Sequence, residues 1–278
     1  MIVTLNNGVK MPQLGFGVFK VEDGQVAVDA VKKAVEVGYR SIDTAAIYKN
    51  ERGVGQGIKE SGVPREELFI TTKVWNSDQG YDTTLKAFDE SMEKLGLDYL
   101  DLYLVHWPMP KVGKYVETYR AMEKLYKEGR VRAIGVCNFH IPHLEHLLSE
   151  CEVKPVLNQV ELHPYFSQPE LREFCEKNDI FVEAWGPLMQ GGEVLNHSVV
   201  QSIAVKHRKT PAQVIIRWHL QNNIIVIPKS ANPTRISENF DVFDFELDAE
   251  DLSRIDGLNT NQRIGADPQD FYRGSHLE

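Results

Sequence analysis

What most constrains this chain is a rhythm: a short run rich in β-branched and aromatic residues, then a longer stretch of helical period, eight times over. The runs that read as strands are Leu14–Val18, Arg40–Asp43, Leu68–Lys73, Leu100–His106, Ala133–Cys137, Val156–Glu161, Phe181–Ala184 and Ile224–Ile227. Helical periodicity follows over Gln25–Val37, Gly53–Glu60, Thr83–Lys94, Val116–Glu128, Pro142–Glu150 and Pro169–Lys177. It continues over His197–His207 with Pro211–Gln221, over Pro233–Phe240, and in a last helix over Ala249–Asp256. Ahead of the first unit, Val3–Leu5 and Val9–Met11 flank Asn6-Asn7-Gly8, which signals a hairpin.

Strands alternating with helices imply a parallel sheet with right-handed crossovers. Eight units in about 250 residues is the size of a closed (β/α)8 barrel. The expected fold is therefore α/β: a (β/α)8 TIM barrel with an N-terminal β-hairpin and extra helices. An open doubly wound sheet is the alternative, because strand order is not written in a sequence. Thr210-Pro211 reads as a helix start, and Gly38 and Gly129 sit where helices should stop. No Pro/Ser/Gly-rich linker and no shift of composition interrupts the pattern, so residues 1–278 read as one domain.

Charged residues make up 26% and the apolar set 42%, a globular balance. A net charge of −9 disfavours a general attraction to nucleic acid or to an anionic membrane. The opening MIVTLNNGVKMP lacks the features of a signal peptide, and no apolar run has membrane-spanning length. Cys137, Cys151 and Cys175 are odd in number, widely spaced and match no zinc pattern. They read as reduced core residues of a cytoplasmic protein, and no metal site is expected.

In such a barrel the loops after the strands build the active site. The strand ends deliver Asp43; Lys73 and Trp75; His106 and Trp107; Asn138; Gln159, Glu161 and His163; Trp185; and Lys229 with Ser230. Each placement alone has an ordinary explanation in capping, core packing or a solvated charge. Their gathering on one rim does not. In RSIDTAAIYKNE an apolar run ends at Asp43, and Tyr48 stands five residues on. A carboxylate at a strand end needs a partner, and Lys73 on the neighbouring strand is the natural one. A plain structural ion pair would explain those two residues, but not Tyr48. An ammonium beside a phenol favours phenolate, so Tyr48 is expected to be acidified and to act as an acid or base. His106 is placed to polarise a substrate oxygen. With no evident nucleophile or metal cage, this set suits proton delivery to a carbonyl while another species attacks the carbon.

A place for that species is legible too. In IPKSANPTRISENF, Lys229, Ser230, Arg235, Glu238 and Asn239 surround a helix start, which forms an anion pocket. Trp185 offers a flat face for stacking. Asn138 and Gln159 offer amides to a carboxamide. A nicotinamide dinucleotide would use all of these. The glycine fingerprint of the doubly wound dinucleotide fold is absent: Gly15-Phe16-Gly17-Val18-Phe19-Lys20 lacks its last glycine, and Gly53-Val54-Gly55-Gln56-Gly57 is wrongly spaced.

The chain resembles the aldo-keto reductase family over nearly its whole length. The resemblance is carried by MPQLGFGVF, GYRSIDTAAIYKNE, FITTKVW, LDYLDLYLVHWP, GRVRAIGVCNF, LNQVELHP and IPKSANPTRISENFDVFDFEL. It is closest to bacterial reductases of the diketogluconate and glyoxal type. It implies a catalytic tetrad of Asp43, Tyr48, Lys73 and His106, with Asn138 and Gln159 on the nicotinamide carboxamide and Trp185 stacked on its ring. It further implies Leu188 in a loop over the pyrophosphate, and Lys229, Ser230, Arg235, Glu238 and Asn239 around the adenosine 2′-phosphate and adenine. NADPH is thus the implied cofactor, in preference to NADH, and a small carbonyl compound flanked by Trp75, His106 and Trp107 the implied substrate. A monomer is the implied state. Cys137 replaces a serine common in the family, and Trp185-Gly186-Pro187-Leu188 replaces Tyr-Ser-Pro-Leu. The short loop after His106 and the short tail after Asn259 imply an open pocket. Two rival readings use the same barrel: a non-catalytic NADPH-binding redox sensor, and an aldolase with Lys73 as Schiff-base nucleophile.

Overall fold

The computed structural model describes all 278 residues. A hairpin comes first, β1 (Ile2–Thr4) with β2 (Lys10–Pro12), its register pairing Val3 with Met11. The eight units follow. They comprise β3 (Phe16–Gly17) and α1 (Gln25–Val37), β4 (Ser41–Asp43) and α2 (Glu51–Glu60), β5 (Phe69–Val74) and α3 (Tyr81–Leu95), and β6 (Leu100–Val105) and α4 (Tyr115–Lys127). Next come β7 (Val131–Cys137) and α5 (Ile141–Glu150), β8 (Leu157–Glu161) and α6 (Pro169–Lys177), and β9 (Phe181–Trp185) with α7 (Ser198–His207) and α8 (Pro211–Gln221). The last are β10 (Ile225–Val226) and α9 (Pro233–Phe240), before α10 (Ala249–Asp256).

Strands β3 to β10 form one parallel sheet in sequential order. The sheet curls until its two edges touch. Leu14 bridges Val226 and Gly17 bridges Lys229, and the Gly15 amide donates to the Val226 carbonyl at 2.9 Å. Sequential order rules out the doubly wound alternative, whose strand order reverses at a switch point.

Side chains alternate across a strand, so the register tells which residues share the concave face. Lys73 pairs with Leu104, Cys137 with Gln159, Gln159 with Glu183, and Glu161 with Trp185. The opposite parity, including Ile42, Ile70, Tyr103, Ile134, Val160 and Val182, joins the helices in a core of 56 buried residues. A smaller core lies inside the curl, where Val3, Leu5 and Met11 of the hairpin meet Phe69, Leu102, Ala133, Leu157 and Ile225. The hairpin thus plugs the end at which the strands begin and leaves the other end for chemistry.

Local signals account for the boundaries. The Thr210 hydroxyl accepts from the Gln213 amide, and the Gln213 side chain accepts from the Thr210 amide at 2.9 Å, a closed capping box. Helix α2 starts two residues before the expected Gly53 because a tertiary contact extends it: buried Glu51 accepts from the Thr72 hydroxyl at 2.7 Å. The glycines of α2 are packing residues. A side-chain carbon on Gly55 would lie 2.2 Å from the Leu95 carbonyl oxygen, and one on Gly57 would lie 2.8 Å from Val31 Cβ. Only bare backbone lets α1 and α3 approach α2 this closely. Gly55→Ala should therefore lower stability by about 2 kcal/mol or more, read as a reduced guanidinium midpoint; an unchanged midpoint would contradict the close packing.

Candidate active site

At the open end of the curl, Asp43 and Lys73 meet as expected. Lys73 Nζ donates to Asp43 Oδ1 at 2.6 Å and to the Thr44 carbonyl at 2.8 Å. Both side chains are removed from water, Lys73 fully and Asp43 to 3% exposure. Burial works against the ammonium, but the charge and hydrogen bond of Asp43 outweigh it, so Lys73 stays charged with its pKa above the ordinary value. The second Asp43 oxygen accepts from Gln159 Nε2 at 2.8 Å, and the same nitrogen donates to Glu183 Oε2 at 2.9 Å.

Tyr48 reaches this pair through a 3₁₀ turn over Ala46–Tyr48 that follows β4. The turn is braced by Asn50, which accepts from the Thr44 hydroxyl at 2.7 Å and donates to the carbonyls of Val18 and Val21. Lys73 Nζ lies 5.1 Å from the Tyr48 ring centroid. The expectation of an acidified phenol needs correcting. Burial pushes Tyr48 up to about 12; Lys73 draws it down, and Asp43 partly cancels Lys73. Desolvation is the larger effect because the phenol sits in the cleft wall while its cation is already neutralised by a carboxylate. The result is a phenol fully protonated at neutral pH.

His106 follows β6, its ring edge-on to Tyr48 at 5.8 Å and to Trp75 at 5.2 Å. Burial, and then Lys73, hold its pKa well below the ordinary value, so the imidazole is neutral. Aromatic side chains wall the cleft. Trp107 packs on Phe271 at 4.1 Å, Trp75 faces Phe271 at 6.3 Å, and Phe19 tilts against Tyr48 at 5.1 Å. Phe19 and Phe271 escaped the sequence reading. Phe19 directly follows the first strand, so the rim rule would have found it; Phe271 lies in a tail with no periodic signal. That tail, short as it is, reaches Trp75 and Trp107 through Phe271.

The expected cofactor residues surround the same rim. Asn138 adopts a left-handed backbone at φ 63°. Its amide nitrogen donates to the His106 carbonyl at 2.9 Å, and its oxygen accepts from the Trp185 indole at 2.8 Å. One hydrogen and one lone pair of Asn138 remain for a ligand, whereas Gln159 has spent both hydrogens and keeps its carbonyl oxygen. Leu188 lies in the loop after β9, partly exposed. Lys229 and Ser230 follow β10, and Arg235, Glu238 and Asn239 lie on α9, whose first turn is capped by Asn232. Glu238 is bound by the Thr210 hydroxyl at 2.9 Å. Arg235 is exposed and Asn239 buried. Lys229 is pushed below its ordinary pKa by partial burial and then by Lys20, a second cation. Lys20 in turn donates to Gln190 Oε1 at 3.1 Å, across the channel between the first and seventh strand ends. Two cations close enough for one to lower the other suit a phosphate-bearing cofactor. The sequence reading missed Lys20 and Gln190.

Glu183 is the unexpected member. It is fully buried on the concave face, and its Oε1 has no hydrogen-bond partner. Burial, then Asp43, push its carboxyl up to about 8, against the lowering from Gln159 and Lys73. From about pH 4.5 to 8 the folded state therefore holds a proton that the unfolded chain releases, and this contribution to stability is lost as pH rises. Glu183→Gln removes it. Unfolding titrations at pH 5 and pH 8 should show the variant gaining on the parent toward pH 8; a constant difference would refute the buried proton.

Comparison with known proteins places the chain in a family. The sequence profile described as "Aldo/keto reductase family" matches residues 13–194 and 192–260. The chain is 60% identical to glyoxal reductase of Bacillus subtilis (strain 168), over 97% of this chain and 96% of the relative. It is 51% identical to methylglyoxal reductase DkgA of Escherichia coli (strain K12), over 97% and 98%. A crystal structure of a Gox0644 mutant in complex with NADPH superposes with a TM-score of 0.93 at 50% identity, covering 98% of each chain. The chain belongs to the aldo/keto reductase family.

Proposed function

We propose that the site reduces small carbonyl compounds, with Tyr48 as the proton donor and NADPH as the reductant. The observation that carries this reading is the buried Lys73–Asp43 pair beside a protonated Tyr48. Bound NADPH supplies a hydride to the carbonyl carbon. Negative charge then grows on the carbonyl oxygen, where the Tyr48 hydroxyl and the neutral His106 ring would meet it. Tyr48 surrenders its proton to that oxygen. The phenolate left behind is stabilised by the Lys73 ammonium, which Asp43 keeps charged. Burial holds His106 neutral, so its ring carries a hydrogen on one nitrogen only, and that nitrogen would be the donor to the carbonyl oxygen. The reading of Lys73 as a Schiff-base nucleophile is disfavoured, because imine formation needs a free amine and this one is held protonated.

For the cofactor, Asn138 and Gln159 would bind the carboxamide and Trp185 would stack on the ring. Lys20 and Lys229 would flank the phosphates beneath Leu188 and Gln190. Ser230, Arg235, Glu238 and Asn239 would receive the adenosine end and its 2′-phosphate. Trp75, His106 and Trp107 line the substrate side. The NADPH of the Gox0644 mutant complex supports that cofactor, and the names of the Bacillus and Escherichia relatives support dicarbonyls such as glyoxal and methylglyoxal as substrates here. Aldoses, keto-sugars and aromatic aldehydes are further carbonyl compounds on which the same site would act.

We read the curled sheet, bridged edge to edge, as the closed (β/α)8 barrel, and residues 1–278 as one domain around it. The exposed large apolar residues are scattered, among them Ile2, Val26, Val205 and Phe243. That distribution supports a monomer. No helix is long and apolar enough to cross a membrane. Three free cysteines fit the reducing cytoplasm.

Tyr48→Phe should lower carbonyl reduction by about 10²–10⁴-fold, the contribution of a positioned acid, while NADPH binding stays near the parent value. Loss of NADPH absorbance with methylglyoxal, alongside fluorescence titration of the cofactor, reads both. Parent-level turnover in the variant would remove Tyr48 from the donor role, and a parent that binds NADPH but reduces no carbonyl would favour the redox-sensor reading.

A further inference from the structure

Beyond α10 the chain runs back over the pocket mouth. Its amides at Thr260 and Gln262 donate to the Tyr165 carbonyl, and further along Asn76 Nδ2 donates to the Arg273 carbonyl at 2.8 Å. Two side-chain contacts to its aspartates also touch it: Lys111 with Asp270, and His140 with Asp267. The first is between groups 60% and 72% exposed, and the second between groups 29% and 53% exposed. Contacts so open to water hold a segment weakly.

One contact is of a different kind. Glu161, at the end of β8, has no exposed side-chain surface. Its Oε1 accepts from the Ile264 amide at 2.6 Å and from His163 Nε2 at 2.9 Å, and its Oε2 accepts from the Gly265 amide at 2.8 Å. Those three donors outweigh burial, so the carboxyl is held below its ordinary pKa. A buried carboxylate must be satisfied by donors, and two of the three come from the tail. Gly265 fits because it has no side chain: a carbon there would lie 2.5 Å from the Trp185 ring and 2.8 Å from Glu161 Oε2. Six residues further on, Phe271 packs on Trp107.

We propose that Glu161 is a positioning residue for aromatic carbonyl substrates: by gripping the Ile264 and Gly265 amides it anchors the segment that delivers Phe271 to the cleft wall. This rests on the carbonyl-reductase reading above and adds to it. Glu161 touches no substrate; it acts through the tail. Glutamine in its place keeps the shape but presents one amide group to an amide donor, so one tail contact becomes repulsive. The wall then loosens where a ring would lie, while the Tyr48 end is untouched.

The test compares methylglyoxal with phenylglyoxal, which differ by a methyl against a phenyl group. Glu161→Gln should raise the KM for phenylglyoxal about tenfold, the scale of one lost charge-assisted hydrogen bond. The KM for methylglyoxal and both kcat values should stay within about twofold. Hydrogen exchange over residues 260–272 should quicken. Phe271→Ala should give the same KM effect, and the double variant should be no worse than either alone, because both act through one segment. Unchanged exchange in Glu161→Gln overturns the anchor, as does an equal rise in KM for both substrates. Exchange is measured without turnover, so a parent that reduces neither substrate would defeat the functional reading and leave the anchor standing on its own result.

Discussion

A fully buried ammonium 2.6 Å from a buried carboxylate is the contact around which this molecule is arranged. Taking both charges out of water costs several kcal/mol each, and their attraction offsets this only with good geometry and further donors. The fold supplies those. Thr44 gives Lys73 a carbonyl, and Gln159 gives Asp43 a second donor. Removing one partner would strand the other, a loss of about 3–5 kcal/mol in comparable cases. A hydrophobic pair would serve stability as well. On the proposal that Tyr48 gives up a proton during reduction, the charged pair has a use beside that phenol which a hydrophobic pair would not have.

Strand alternation places that pair. Toward the strand starts, the concave face is apolar and closed by Val3, Leu5 and Met11 of the hairpin. Toward the strand ends it turns polar, with Asp43, Lys73, Gln159 and Glu183 linked in one hydrogen-bonded chain. The change happens within a few residues along each strand. Field and support therefore lie beneath the rim, and of this chain only Gln159 is also proposed to reach a ligand. Glu183, carrying its proton, keeps this chain from holding two adjacent negative charges.

Much of this was legible in the sequence because it depends on local periodicity. Every strand and helix of the eight units falls where the alternation placed it, within a few residues, and α1, α6, α8, α9 and α10 fall on their expected bounds. The nearness of Asp43 and Lys73 followed from adjacent parallel strands. What stayed hidden depends on distance relations. The glycines of α2 resemble a loop motif, and only the approach of Leu95 and Val31 reveals them as packing sites. The sign of the Tyr48 shift required knowing how deeply the phenol is buried relative to its cation. Phe271 and the tail amides on Glu161 are brought to the site by an aperiodic segment, about which residue spacing says nothing.

The central claim is that the Lys73 charge, and not merely its bulk, lets Tyr48 act. The most direct measurement replaces both charges together, Asp43→Asn with Lys73→Met, so that neither is stranded in the core. Single-turnover reduction of methylglyoxal at saturating NADPH then reads the chemical step in a folded protein. The account predicts a fall on the order of 10²-fold or more with cofactor affinity preserved. A rate within a few-fold of the parent would contradict it.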